Sequence, residues 1–277
     1  MTEQVQAIKL NDGRTIPQIG LGVFRAEEGD ETYNAVKWAL ENGYRHIDTA
    51  MYYFNEESVG RAIRDSGIAR EDIFVTTKLW NDDVRAGKTR EALEGSLQRL
   101  GLDYVDLYLI HWPAEGREKA WAEMEKLQQE GKIRSIGVSN FNPHHLEELA
   151  KTATVTPAVD QIESNPYFQN QDVVDYCQQH GIQVEAWSPL GGSKQTNMRE
   201  DETVQRIAEA HGKTPTQVII RWHLQRGLIV LPKSTHEEYI KENIDVLDFE
   251  LNDEEMAAMK GLERGTRTGS DPDDFDF

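Results

Sequence analysis

Short apolar, β-branched runs recur along this chain at nearly constant spacing, and that recurrence is its strongest structural constraint. The runs begin near positions 20, 46, 73, 105, 133, 158, 183 and 229, so successive gaps are 26, 27, 32, 28, 25, 25 and 46 residues. A gap of about 25–30 residues holds one strand, one crossover helix and two short loops. The intervening segments carry helical spacing. Leu93, Ser96, Leu97 and Leu100 fall at i, i+3, i+4 and i+7, as do Val204, Ile207, Ala208 and His211. Thr214-Pro215-Thr216-Gln217 reads as an N-cap, a first-turn proline and a capping-box glutamine. Runs such as Ile229-Val230-Leu231 are continuously apolar, as in strands buried on both faces. Eight alternating units predict an α/β fold, a (β/α)8 TIM barrel, as a single domain over 1–277. Residues 1–19 contain the turn signal Asn11-Asp12-Gly13 and predict an N-terminal β-hairpin capping the barrel bottom. The long seventh gap predicts an extra loop or helix between strands 7 and 8.

Charge narrows the partners. Acidic residues number 49 against 30 basic ones, for a formal net charge of −19. That far exceeds the ~2–8 of a small domain. No basic stripe is available for phosphates, so a nucleic-acid partner is disfavoured. An anionic membrane surface is disfavoured for the same reason. No apolar run approaches the ~20 residues of a spanning helix, and MTEQVQAIKLNDG lacks a signal pattern. The single Cys177 allows no intrachain disulfide. The expectation is a cytoplasmic monomer. The acid excess leaves two readings open: a well-solvated surface, or adaptation to molar salt, where a Debye length of about 3 Å abolishes self-repulsion. The last stretch, about 266–277, is an acidic tail expected to be mobile unless Phe275 and Phe277 dock.

In a barrel of this kind chemistry sits at the C-terminal ends of the strands. Seven of the eight expected ends here carry reactive side chains: His46-Ile47-Asp48, Lys78-Leu79-Trp80, His111-Trp112, Ser139-Asn140, Gln161-Ile162-Glu163, Glu185-Ala186-Trp187-Ser188 and Lys233-Ser234-Thr235. One such residue alone reads as a satisfied polar group; the set does not. Other motifs fail. Gly87-Lys88-Thr89 lacks the earlier glycine of a phosphate loop, since position 82 is Asp. Gly20-Leu21-Gly22 is not a dinucleotide fingerprint, and reads instead as tight backbone packing. His144 and His145 are adjacent and should point about 100° apart on a helix, sharing a metal poorly. With no zinc-type cluster in the sequence, no metal site is expected.

The stretches GYRHIDTAMYYFNEESVG, VTTKLW, LIHWP, IGVSNF, DQIESNPY, EAWSPLG and LPKSTHEEYIKEN occur in this order. Together they make the chain resemble the aldo-keto reductases over about residues 5–265, with a flavour similar to bacterial 2,5-diketo-D-gluconate reductases. The resemblance implies hydride transfer between NADP(H) and a carbonyl substrate on a (β/α)8 barrel. It assigns catalysis to Asp48, Tyr53, Lys78 and His111. A carbonyl that accepts hydride needs a proton donor. A phenol has a pKa near 10, and an adjacent ammonium lowers it. Lys78 would supply that charge, Asp48 would hold Lys78, and His111 would orient the carbonyl oxygen.

The resemblance also places Ser139, Asn140 and Gln161 at the nicotinamide carboxamide and Trp187 against its ring. It sets Ser188, Leu190 and Gly191 along the pyrophosphate, Lys233, Ser234 and Thr235 at the 2′-phosphate, and Glu242 and Asn243 near the adenine. Thr235-His236-Glu237-Glu238 reads as a capping box facing that phosphate. Three departures stand out. Tyr239 occupies a position where the family usually carries Arg, so NAD(H) use beside NADP(H) is expected. Asp160 replaces a common Asn and is expected to perturb Gln161. Asn165 replaces a common His.

Phe24, Tyr52, Trp80, His111 and Trp112 are expected to line an aromatic substrate pocket. Only 28 residues separate His111 from Ser139, which predicts an open, permissive pocket without a large covering loop. An acidic rim favours small aldehydes and diketones over anionic keto sugar acids. Two alternatives remain at this point. One is a Schiff-base aldolase acting through Lys78. The other is a non-enzymatic structural or channel-associated relative.

Overall fold

The computed structural model describes residues 5–192 and 196–277. An antiparallel hairpin comes first, formed by β1 (Ala7–Lys9) and β2 (Thr15–Pro17) with Ile8 opposite Ile16. Eight parallel strands follow. These are β3 (Leu21–Gly22), β4 (His46–Asp48), β5 (Phe74–Leu79), β6 (Val105–Ile110), β7 (Ile133–Ser139), β8 (Val159–Glu163), β9 (Gln183–Trp187) and β10 (Ile229–Val230). They neighbour one another in sequence order. Parallel bridges Ile19–Val230 and Gly22–Lys233 join the first strand region to the last and close the barrel. All eight strands fall at the expected positions. The hairpin begins two residues beyond the undescribed 1–4 segment.

Closure has a local cause in β3 and its approach. A Cβ on Gly20 would lie 2.7 Å from the His46 ring and from the Leu231 side chain, so glycine leaves room for both side chains where the first and last strands meet. The expected extra segment between the seventh and eighth barrel strands is helical, with Glu202–His211 preceding the crossover helix Pro215–Gln225. Thr214 and Gln217 form the predicted capping box.

Helices cover the strands and bury an apolar layer that includes Val36, Ala39, Ile63, Leu93, Trp121 and Ile136. Burial of each such large side chain contributes about 1.5–3 kcal/mol. The lower end of the barrel is filled differently. Leu10 and Ile16 of the hairpin pack on Phe74, Leu107, Leu109, Val159 and Ile229. The hairpin therefore stoppers the N-terminal end, and the polar strand ends gather at the other. Among the described residues no helix is long and apolar enough to cross a membrane.

Candidate active site

Three strand ends and a short turn bring the four residues assigned to catalysis together. Asp48 ends β4 and Lys78 lies near the end of β5. Tyr53 lies on the turn Met51–Tyr53, five residues beyond Asp48. Lys78 Nζ is fully buried and donates to Asp48 Oδ1 at 2.7 Å, to the Thr49 carbonyl at 2.9 Å and to the Tyr53 hydroxyl at 3.2 Å. Burial opposes the Lys78 charge, but Asp48 and Tyr53 outweigh it, so the ammonium holds its proton more firmly than usual. His111 begins just past β6, its ring edge-on to Tyr53 with centroids 5.7 Å apart. Burial, and then Lys78, push His111 well below its ordinary value, so it is neutral at pH 7.

Tyr53 corrects one expectation. Its ring is half-buried, and burial raises the phenol above its ordinary value; Lys78 pulls it down but does not reverse the shift. In this state Tyr53 is a firmly protonated phenol, not an acidified one, because desolvation of the phenolate outweighs the nearby charge.

The side chains expected around a nicotinamide also converge. Ser139 donates to the Gln161 carbonyl at 2.8 Å, and Asn140 Nδ2 donates to the His111 carbonyl at 3.0 Å. The Trp187 indole N–H donates to Asn140 Oδ1 at 2.8 Å, which fixes the plane of the half-buried ring. Asn140 holds a left-handed backbone (φ 62°), a conformation tolerated by Asn and concentrated at functional sites. Gln161 Nε2 donates to Asp48 Oδ2 at 2.8 Å and to Glu185 Oε2 at 2.9 Å. No donor among the described residues reaches the Gln161 side-chain oxygen. Beyond Trp187, Ser188 and Leu190 are half-buried and Gly191 is buried.

The more distant positions fit less well. Lys233 is exposed, as a phosphate contact requires. The capping box expected at Thr235 does not form. His236 is the N-cap of the helix Glu237–Ile244 and makes no side-chain cap bond. The Ser234 hydroxyl instead accepts the His236 N–H at 3.1 Å, a local turn that competes with the box. Glu242 accepts the Thr214 hydroxyl at 2.7 Å. Asn243 is buried. Tyr239 is 52% exposed on the first turn of that helix.

The aromatic pocket residues form one surface. Phe24 tilts over Tyr53 at 4.9 Å and Tyr52 stacks on Trp80 at 3.7 Å. The tail completes it. Phe277 stacks on Trp80 at 5.8 Å and meets Trp112 edge-on at 5.1 Å, and Phe275 lies 5.3 Å from Trp112. The Phe277 main-chain oxygen accepts from Asn81 Nδ2 and Arg85. The tail is therefore docked over the mouth, and the open pocket expected from the short 111–139 segment is partly covered from elsewhere in the chain.

Several contacts were not anticipated. Glu163 accepts from the Thr268 N–H at 2.6 Å, the Gly269 N–H at 3.0 Å and the Thr268 hydroxyl, fastening the start of the tail. A Cβ on Gly269 would stand 2.3 Å from the Trp187 ring, so backbone lies directly against the indole. Asp160 does not touch Gln161. It faces the other side of β8, near Cys177 and the Phe141 N–H, because successive strand residues point oppositely. The carboxyls that do touch Gln161 are those of Asp48 and Glu185.

His144 and His145 do not diverge. His145 turns its ring back so that Nδ1 accepts the Asn142 N–H at 3.1 Å, capping its own helix. The two rings then lie 3.9 Å apart, and both Nε2 atoms approach Asp273 Oδ1, at 3.1 and 3.4 Å. With Nδ1 accepting, neutral His145 carries its hydrogen on Nε2, which makes that atom a donor to Asp273 rather than a metal ligand.

Residues 18–264 match the Aldo/keto reductase family. The chain is 49% identical over 277 residues to the glyoxal reductase of Bacillus subtilis (strain 168), covering 100% of this chain and 99% of the relative. It is 47% identical over 272 residues to the methylglyoxal reductase of Escherichia coli (strain K12), covering 97% of each. An aldo-keto reductase enzyme from a Medee basin deep-sea metagenome library superposes with a TM-score of 0.95 at 47% identity, over 98% of this chain and 100% of that one. The Bombyx mori aldo-keto reductase in complex with NADP superposes with a TM-score of 0.91 at 40% identity, over 98% and 97%.

Proposed function

Because the chain belongs to the aldo/keto reductase family, we propose that it reduces small aldehydes and dicarbonyls to alcohols with a nicotinamide cofactor, Tyr53 acting as the proton donor. The observation that carries this reading is the buried chain of contacts from Asp48 through Lys78 to the Tyr53 hydroxyl at the barrel mouth, with neutral His111 beside it. The site residues suit such a cofactor: a flat indole held by Asn140, an unpartnered Gln161 oxygen for a carboxamide N–H, and an exposed lysine for a phosphate.

A bound nicotinamide supplies the hydride. The protein supplies the rest. His111 orients the carbonyl oxygen toward Tyr53 by a hydrogen bond. The Tyr53 hydroxyl gives its proton to that oxygen as negative charge develops there. Lys78 stabilises the phenolate left behind, and Asp48 keeps Lys78 charged and in place. A firmly protonated Tyr53 suits this role, since the acceptor is a strongly basic alkoxide. The same geometry argues against a Schiff-base aldolase. Lys78 is charged and donates to three oxygens, so it has no lone pair to attack a carbonyl.

Substrate preference follows the mouth. Its walls are aromatic, and the tail over it carries exposed Asp271, Asp273, Asp274 and Asp276. Neutral aldehydes and dicarbonyls suit that surface better than anionic keto sugar acids. The names of the glyoxal and methylglyoxal reductases support the same class. The test follows NADPH and NADH consumption with glyoxal and methylglyoxal. The expected result is turnover by the native protein and a loss of about 10²–10⁴-fold in Tyr53→Phe. Equal turnover in Tyr53→Phe overturns the assignment.

A further inference from the structure

Below the Tyr53–Lys78–Asp48 set, the barrel holds a second acid that the reaction above does not use. Glu185 lies on β9, two residues before Trp187 and on the same face of the strand. It is fully buried. One carboxyl oxygen accepts from Gln161 Nε2, the nitrogen that also donates to Asp48. Among the described residues the other oxygen has no hydrogen-bond partner, and it stands 3.8 Å from His46 Nε2. The charged or titratable groups facing Glu185 are His46 and Asp48 from β4 and Lys78 from β5. Gln161 faces it from β8, and β10 pairs alongside through apolar Ile229. Burial and Asp48 push Glu185 up to about 8, and burial pushes His46 down to about 4. At pH 7 both are neutral, and this part of the interior carries one ion pair, Asp48 with Lys78.

The Gln161 amide has two hydrogens, and the two carboxyls take both. Rotating the amide by half a turn would set its oxygen against the charged Asp48 carboxylate and lose that bond. Asp48 therefore fixes the orientation of the amide, and Glu185 takes its second hydrogen. We propose that Glu185 is a positioning residue, which together with Asp48 locks the Gln161 amide so that its oxygen meets the cofactor carboxamide. This assignment rests on the nicotinamide reading above. It has a second consequence. When Glu185 ionises, a second negative charge stands near Asp48 and opposes the phenolate that Tyr53 must become, so turnover falls at alkaline pH.

The experiment compares the native protein with Glu185→Leu and Glu185→Gln. It measures NADPH binding by quenching of tryptophan fluorescence, and kcat/KM with methylglyoxal as a function of pH. Glu185→Leu removes the acceptor, and its NADPH dissociation constant should rise about tenfold, the effect of losing one buried hydrogen bond. Glu185→Gln can still present an oxygen to Gln161, so it should recover most of that affinity while losing the decline in rate above about pH 8. Unchanged NADPH affinity in Glu185→Leu, or a Glu185→Gln pH profile that superposes on the native one, overturns the proposal. Native protein that binds no nicotinamide cofactor would instead overturn the functional reading itself. If Glu185→Leu does not fold, the Glu185→Gln profile decides alone.

Discussion

The rings of Trp80 and Phe277 lie 8° from parallel with centroids 5.8 Å apart, joining the end of β5 to the far end of the tail. Such pairs contribute about 0.5–1.5 kcal/mol beyond area burial. Phe277→Ala should therefore raise KM for small aldehydes by about two- to tenfold, with little change in kcat. It should also improve turnover of bulkier carbonyls. Steady-state kinetics over a size series of aldehydes checks this, and identical constants for every substrate would show that the docked ring does not contact them.

Lys78 and Asp48 form a buried pair, so removing one partner strands a charge. Lys78→Met should cost about 3–5 kcal/mol of folding stability in addition to lost turnover. Tyr53→Phe should lose turnover with a much smaller stability change, since its ring packing is kept. Urea denaturation of the two variants beside the native protein separates these outcomes.

Tyr239 offers an exposed ring but no charge where an arginine would grip a 2′-phosphate. The ratio of kcat/KM for NADPH over NADH should stay below about a thousand, equivalent to roughly 4 kcal/mol. Tyr239→Arg should raise it, through KM for NADPH.

Acid should destabilise the fold in a defined window. Burial lowers His46 to about 4 and His223 to about 3, from an ordinary 6.5. The unfolded chain therefore binds protons first as pH falls. The stability these neutral rings permit is complete above about pH 6.5 and is lost toward about pH 4 and 3. At pH 5 the loss should be on the order of 1–2 kcal/mol per ring. Urea midpoints at pH 7 and pH 5 measure it, and His223→Gln should flatten the difference.

Net charge sets a salt response. With a formal charge of −19, repulsion at low ionic strength should lower the denaturation midpoint, and molar salt should raise it. A midpoint independent of salt would mean that the surface acids are simply solvated.

The fold was legible because barrel strands buried on both faces leave apolar runs at a fixed spacing, and each run from Leu21 to Val230 became a strand. The catalytic set was legible only through the resemblance, since nothing in the spacing of Asp48, Lys78 and His111 by itself says that they meet. Three features escaped. Glu185 looked like any polar residue at a strand end, because inward or outward facing depends on register. Docking of the tail stayed conditional in the sequence, because five of its last seven positions are Asp or Pro, and the aromatic partners of its two rings are distant along the chain. His145 was assigned an ideal helical direction, whereas a free N–H at the helix start turned its ring back.

The stopper that Leu10 and Ile16 make at the lower end leaves the barrel a blind vessel. Glu185 lies fully buried inside that vessel, so a change in its charge has to be compensated by the Asp48, Lys78 and Gln161 groups around it rather than by bulk water.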